Sequence, residues 1–372
     1  MLRRLYVHNF RCLENFALTF NGQSSTLLLG KNGSGKTSVG LALEVLQKIA
    51  RGTNRIDSVA KPKDLTRGRA DVPMRFEIEV ELDRKIYAYT IAFELPDGFK
   101  ELRVVEEKLM VDGTPLYTRT LAEVWLPVRA KAQEKEARFL IDWHLAALPI
   151  IQEYSSADPL FIFKQWLSRV LILRPIPELI TGESNDVTLD RPNIRVTNFG
   201  AWFSGLIALS PDAYSQIVGY LKHVLTDLKQ ITNPLVGKDF RTLVAEFKNE
   251  YGAVSIPFED LSDGEKCFMI SALVLAANRV YGPLLCFWDE PDNYLAISEV
   301  GHFVMELRKA FLEGGQFITT SHNPETIRHF SDESTMVLDR RSHLEPATIR
   351  RLSDLQIQGD LVGAVIRGDV FS

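Results

Sequence analysis

Cysteine is scarce in this chain. Only Cys12, Cys267 and Cys286 occur in 372 residues. An odd, scattered set makes no disulfide framework, and its spacing fits no zinc site. Cys267 and Cys286 lie in apolar segments and read as small core residues, so a reducing cytosol is the expected compartment. Long apolar runs are missing too: the longest, Met269–Ala277, falls far short of the roughly 20 residues a membrane helix needs. No membrane association is expected. The amino end, Met1-Leu2-Arg3-Arg4, lacks the apolar stretch and cleavage site of a secretory signal. Positive charge is not in excess, since the net charge is −5. A basic nucleic-acid coat is therefore excluded, and any nucleic-acid contact must be local. Internal repeats and low-complexity tracts are absent.

What remains is an ordinary globular composition, 45% hydrophobic and 24% charged, with ample material for a core. Three segments follow from the patterning. Residues 1–117 alternate apolar and polar positions from Leu2 to Phe20 and again over Met74–Leu82, Lys85–Leu95 and Leu102–Val111. Asp83-Arg84 and Asp112-Gly113 separate these runs as hairpin turns. The reading is an antiparallel β meander. Residues 118–252 carry four tryptophans and many helix-compatible runs, with a loop expected over Gly182–Asn198. Prolines at 127, 149, 159, 175, 177, 192, 211 and 234 exclude a long coiled coil there, so a compact, mostly helical insertion is expected. Residues 253–372 alternate helices and strands: Gly264–Val280, Leu284–Trp288, Ile297–Leu312, Gln316–Thr320, Pro324–Phe330 and Thr335–Leu338. That order predicts a largely parallel sheet covered by helices, and the chain as a whole is α/β with a mixed sheet.

The run Gly30-Lys31-Asn32-Gly33-Ser34-Gly35-Lys36-Thr37 has the G-x-x-x-x-G-K-[ST] pattern, with a strand expected over Ser25–Leu29 and a helix over Lys36–Ala50. Gly30, Asn32, Gly33, Ser34, Gly35, Lys36, Thr37 and Ser38 are the candidate ATP-binding residues. Glycines let backbone N–H groups close around phosphate oxygens at a helix N-terminus. Lys36 reaches the β- and γ-phosphates, and the Thr37 hydroxyl ligates Mg²⁺. Far away, the apolar run Leu284–Trp288 ends in Asp289-Glu290. Carboxyl ends of parallel strands are where ligands sit. Asp289 is the second candidate metal ligand, and Glu290 the candidate base on the attacking water.

At these residues the chain resembles a family. Leu261-Ser262-Asp263-Gly264-Glu265 is similar to the LSxGE signature of ABC ATPases, Asp289-Glu290-Pro291 to their Walker B motif, and Thr319–Asn323 to their switch-histidine segment. Leu5–Arg11 resembles the opening strand of RecF, Rad50 and SMC proteins. The nearest likeness is to the RecF/OLD-type ATPases labelled AAA-15 or AAA-21, many of them anti-phage proteins. It covers about 1–111 and 253–344, not the insertion. The resemblance implies an ABC-type P-loop head that binds ATP and Mg²⁺ and dimerises head to head. It makes His322 a γ-phosphate contact. It places Ser262, Gly264 and Glu265 on the nucleotide of the opposite subunit, although Ser262 and Glu265 alone also read as a capping box. It also implies ATP hydrolysis with Glu290 and His322 as the catalytic pair.

Departures from the pattern are Ala296, where an aspartate is usual, and a Q-loop glutamine for which Gln152 and Gln165 both stay open. Arg11 is a further candidate nucleotide contact. The basic stretch Arg51, Arg55, Lys61, Lys63, Arg67, Arg69 is a candidate DNA contact or a solvated loop. No toprim nuclease domain is expected after the ATPase, so an effector is expected to be a separate protein docking on the insertion. Three functions stay open: an anti-phage switch, a RecF/Rad50-like DNA-binding ATPase, and an ATP-holding scaffold without turnover.

Overall fold

Alternating stretches become strands wherever one face can be buried and a turn residue can take a left-handed backbone. A computed structural model of the chain describes residues 1–128, 136–185, 189, 191–355, 361–367 and 370. Two units divide it: Met1–Gln23 with Leu28–Val170 and Asp332–Ser372, and Ser24–Leu27 with Leu171–Ser331.

In the first unit, Leu2–His8 (β1) pairs with Phe16–Thr19 (β2). Ser25–Gly30 (β3), buried throughout, contributes its last three residues here and its first three to the second unit. Lys36–Ala50 forms α1. Met74–Leu82 (β4), Lys85–Glu94 (β5), Arg103–Val111 (β6), Thr114–Thr120 (β7), Glu123–Leu126 (β8) and Ala137–Leu140 (β9) continue the meander. With β1 and β2 they make one eight-stranded sheet, order β2-β1-β4-β5-β6-β7-β8-β9, antiparallel at every pairing. Asp83 and Arg84 (φ 50° and 63°) and Asp112 and Gly113 (φ 49° and 79°) supply the positive φ values that two-residue hairpins need. Pro159–Arg169 (α2) starts at Asp158, whose carboxylate accepts from the Leu160 N–H at 2.9 Å. Phe163 of α2 stacks on Tyr87 of the sheet with ring centroids 6.0 Å apart.

The core of that sheet holds a charge. The Glu107 carboxylate, fully buried, accepts from the Tyr89 and Tyr117 hydroxyls at 3.0 and 2.8 Å and from the Ala147 and Leu148 N–H groups at 2.6 and 2.8 Å. Arg119, also fully buried, lies 3.5 Å from it and donates to the carbonyls of Leu121, Asp142 and Leu145. Burial holds both tyrosine hydroxyls well above their usual pKa and depresses that of Arg119.

The second unit carries the helix-covered strands. Leu171–Leu173 (β10) pairs parallel with Leu285–Asp289 (β17), and β17 pairs parallel with Gln316–Thr320 (β18). The Phe317 N–H donates to Ser24 O at 2.7 Å, beside the start of β3. Asp263–Tyr281 (α5) is buried around most of its circumference, which explains its near-continuous apolar sequence. Ile297–Leu312 (α6) buries one stripe, and Pro324–Arg328 (α7) follows β18. Phe199–Leu209 (α3) and Asp212–Val224 (α4) precede α5. Two small antiparallel sheets complete the unit: Glu183–Asn185 (β11), Phe240–Thr242 (β14) and Leu235–Val236 (β13), in that order, and Leu228–Thr232 (β12), Val244–Asn249 (β15) and Gly252–Pro257 (β16).

Thr335–Asp339 (β19), Thr348–Arg351 (β20) and Leu361–Arg367 (α8) return to the first unit, where β19 and β20 pair antiparallel. No helix of the described residues is long and apolar enough to cross a membrane.

Fold class agrees with the sequence: α/β, with mixed and antiparallel sheets. The stretch 118–252 contains the expected helices α2, α3 and α4, but short strands share it. Those strands are two to six residues long, too short for alternation to stand out from helical spacing. Glu183–Asn185 falls within the loop expected over Gly182–Asn198; residues 186–188 and 190 of that loop lie outside the described residues. The basic stretch 51–69 folds into three 3₁₀ turns, Ile56–Ser58, Pro62–Asp64 and Thr66–Gly68. All three cysteines are buried and free, and burial pushes the Cys267 thiol up to about 12.

Replacing Glu107 by alanine strands Arg119 in the core and removes the acceptor of four donors. Chemical denaturation should show a loss of about 3–5 kcal/mol.

Candidate functional site

Two constellations stand out, one in each unit. In the first, β3 ends at Gly30 and α1 begins at Lys36, with the glycine-rich turn between. Gly33 and Gly35 have φ of 81° and 109°, a left-handed backbone that favours glycine. At Gly35 a Cβ would lie 2.9 Å from Cys12 Sγ, and at Gly30 it would lie 2.5 Å from Leu338 O, so these positions have no room for a side chain. The turn is closed by Ser34 N–H to Lys31 O at 3.1 Å. The Lys36 ammonium, buried, crosses the turn to Gly30 O at 2.7 Å and Lys31 O at 3.3 Å.

Three observations suit this turn to phosphate. Helix α1 has no side-chain cap and no acidic residue in its first turn, leaving its N-terminal N–H groups and dipole to an anion. The Ser34 hydroxyl is buried with no hydrogen-bond partner among the described residues. Lys36 supplies the positive charge. Thr37 and Ser38 follow on the first turn of α1, where Ser38 Oγ meets Cys12 Sγ at 3.6 Å.

The second constellation lies at the carboxyl ends of β17 and β18. Their register sets Asp289 opposite Thr320. The Thr320 hydroxyl donates to Asp289 Oδ1 at 2.7 Å and accepts from the Glu290 N–H at 2.9 Å. Glu290 has φ 52°, uncommon for a residue with a Cβ. Its carboxylate accepts from Asn293 Nδ2 at 2.8 Å, and His322 Nε2 lies 3.4 Å from Glu290 Oε1. Arg174, at the end of β10, places Nε 3.7 Å from Asp289 Oδ2.

Beneath these groups sits Asp292. One of its oxygens accepts from the Ser321 and Thr326 hydroxyls, tying the loop after β17 to the loop after β18. The other, Oδ1, is buried without a partner among the described residues, and burial raises the Asp292 pKa.

A third feature lies at the start of α5. Ser262, exposed, caps the helix: its hydroxyl accepts from the Glu265 N–H at 3.3 Å, while Glu265 Oε2 accepts from the Ser262 N–H at 2.8 Å. Glu265 thus has its partner within its own helix. At Gly264 a Cβ would stand 3.2 Å from Tyr294 O.

The model of an AAA domain family described as putative AbiEii toxin, Type IV TA system, matches residues 25–328. The chain belongs to this AAA_21 family. Solved structures agree on the fold. An SMC head bound to the C-terminal winged-helix domain of ScpA superposes with a TM-score of 0.56 at 13% identity, covering 95% of this chain and 99% of that one. An SMC head from Pyrococcus furiosus, with an extended coiled coil and the C-terminal domain of ScpA, gives 0.52 at 12% identity, covering 98% and 99%. No curated protein matches the chain. The AAA_21 chain thus has the fold of an SMC head domain.

Within each unit the structure groups the sequence-derived candidates. Gly30, Asn32, Gly33, Ser34, Gly35, Lys36, Thr37 and Ser38 share the turn and first turn of α1, and Asp289, Glu290 and His322 share the strand ends. Sequence reading gave no role to Arg174, Asp292, Thr320 or Thr326. A hydroxyl pair closing an apolar strand, Thr319-Thr320 ahead of Ser321, is the one signal that pointed there. Arg11 pairs with Asp64 at 3.1 Å.

Asp292→Ala leaves the buried Ser321 and Thr326 hydroxyls without the carboxylate that accepts their protons. Thermal or urea unfolding should show a loss of about 1–3 kcal/mol, and Asp292→Asn, which retains an acceptor, a smaller one.

Proposed function

We propose that this chain is an ATP-driven dimeric switch that binds and slowly hydrolyses Mg²⁺-ATP. The observation carrying the reading is the strand-end arrangement of Asp289, Glu290 and His322, in a family whose phosphate-loop turn is intact in this sequence. Lys36 and the N–H groups of Gly33–Thr37 hold the β- and γ-phosphates. Thr37 and Asp289 would hold the magnesium, since a hydroxyl and a carboxylate are a donor set that suits a hard cation. When bound, the cation would supply neutralisation of charge on the transferred phosphoryl group. Glu290 orients the attacking water and accepts its proton. Its contact with Asn293 and its fixed backbone keep the carboxylate in place, and His322 beside it contacts the γ-phosphate.

Two copies close head to head in this reading. Ser262 and Gly264, exposed or half-buried at the start of α5, with Glu265 securing the cap, reach the nucleotide held by the other copy. ATP closes the pair and hydrolysis opens it. A separate effector docks on 118–252. Support for that comes from an apolar cleft of about 590 Å³ in the first unit, lined in part by Trp125, Pro127, Val128, Tyr154 and Pro159, with Val128 and Tyr154 exposed. Anti-phage defence is the setting the family resemblance favours, and the cytosol its compartment.

The direct DNA-binding alternative draws less support. Arg55 pairs with Asp57 and Glu101, Arg67 with Glu14, and Arg69 with Glu14 and Asp71. Arg51 donates to Ser168 O at 2.9 Å. Such arginines have lost part of their attraction for a phosphate backbone.

Glu290→Gln should lower phosphate release by about a hundredfold or more while retaining ATP. Sedimentation velocity with ATP should then show a dimer, and a monomer would end the switch reading. Lys36→Ala should lose ATP binding altogether in a fluorescent-nucleotide titration. Wild-type protein that binds ATP and never releases phosphate would leave the scaffold reading standing instead.

A further inference from the structure

A cavity inside the second unit carries chemistry that the proposed reaction does not use. Its volume is about 430 Å³, within the range of small-molecule sites. Phe203 and Ile207 of α3 and Ile231 of β12 give it an apolar wall, with Phe203 and Ile231 buried. The polar wall comes from Ser204 of α3, Ser184 of β11, Arg241 of β14 and Asn233, which follows β12. Ser184 and Arg241 stand directly opposite each other in the β11–β14 pairing, so their side chains share one face of that small sheet.

The polar wall is a network with one open end. Ser204 Oγ donates to Gly200 O at 2.9 Å, which uses its only proton. The Ser184 hydroxyl, 3.1 Å away, is therefore the donor of the serine pair. Asn233 Nδ2 donates to the same Ser204 oxygen at 2.9 Å. Ser204 is then fully engaged, and it fixes which way the Asn233 amide is turned. Asn233 Oδ1 is buried without a hydrogen-bond partner among the described residues. A buried acceptor left open calls for a donor. Arg241 offers the opposite chemistry. Its Nη1 donates to the Asn233 carbonyl at 3.0 Å, and no carboxylate pairs with it among the described residues. The side chain is exposed, so part of its planar fork is available to an anion. An open acceptor and a cation thus gather at one asparagine.

We propose that this cavity binds an N-acylated apolar amino acid with a free carboxylate. Its side chain lies against Phe203, Ile207 and Ile231, its amide N–H donates to Asn233 Oδ1, and its carboxylate meets Arg241. In such a ligand the N–H and the carboxylate hang from a single carbon, which suits an acceptor and a guanidinium held at a single residue. A plain hydrocarbon would leave Oδ1 unpaired, and a sugar or free phosphate would leave the apolar wall unfilled. A small metabolite and the carboxyl terminus of a polypeptide present this same chemistry. None of these residues belongs to the nucleotide reading, so the two stand or fall separately.

The test titrates the full chain, without nucleotide, with N-acetyl-L-leucine by isothermal calorimetry. Wild type should bind it saturably. Arg241→Gln, at an exposed position, should weaken binding about tenfold, the contribution of a charged hydrogen bond. N-acetyl-L-leucinamide lacks the charge and should bind wild type about tenfold more weakly, with no further loss in Arg241→Gln. Asn233→Ala, checked for folding by circular dichroism, should weaken N-acetyl-L-leucine several-fold. N-acetyl-N-methyl-L-leucine has no N–H and should show the same loss on wild type, which tests that bond without altering the protein. A peptide ending in Gly-Leu that binds more tightly than N-acetyl-L-leucine assigns the site to a polypeptide carboxyl terminus, and one that binds equally or less tightly assigns it to a small ligand. No saturable binding of either probe, or equal affinity in wild type and Arg241→Gln, overturns the proposal.

Discussion

A single hydroxyl organises the acidic end of the second unit. Thr320 donates to the Asp289 carboxylate and accepts from the Glu290 N–H. Both bonds depend on the parallel register of β17 and β18, which sets Asp289 and Thr320 side by side. A slip of one residue would turn every side chain of β18 to its opposite face. The strand pairing therefore fixes the directions of two neighbouring carboxylates that chain connectivity alone would leave loose. Asp292 adds a second tie one layer down, joining the loops that carry Glu290 and His322. Both ties pair hydroxyls with carboxylates in buried or nearly buried positions, where such bonds are strong and their loss is costly.

Much of this was legible in the amino-acid order. Helices Lys36–Ala50 and Ile297–Leu312 and strand Gln316–Thr320 begin and end where the sequence put them. Long runs with one clear period, closed by glycine or proline, leave little room for another reading. The phosphate-loop turn was equally plain, because its glycines answer a steric demand that Cys12 and Leu338 make visible in the fold. The supporting groups were not legible. Arg174 lies more than a hundred positions from Asp289, and only the pairing of β10 with β17 makes them neighbours. Asp292 looked like any turn aspartate, and its burial against Ser321 and Thr326 is a tertiary fact. Strands β11–β14 escaped notice because pieces of two to five residues carry no measurable alternation.

The meander of the first unit shows another limit of pattern reading. Glu107 sits on β6 between Glu106 and Lys108, in a strand whose alternation alone gives no sign of a buried charge. It is completely buried, with Arg119, two tyrosine hydroxyls and two backbone N–H groups around it. Those last two bonds fasten Ala147 and Leu148 to the sheet, so an irregular segment is held by a charge rather than by packing alone. Burying an ion pair this way gives little net stability but makes the alternative arrangements expensive. The basic stretch 51–69 shows the converse: Arg55, Arg67 and Arg69, which looked available to a polyanion, are paired with acidic side chains.

The left-handed backbone at Glu290 has a cost of its own. A residue with a Cβ held in that region gives up on the order of 1 kcal/mol, which a glycine there would recover. The same replacement would delete the carboxylate that faces His322. Stability and chemistry thus pull in opposite directions at one residue, and the most robust form of this fold would be an inert one.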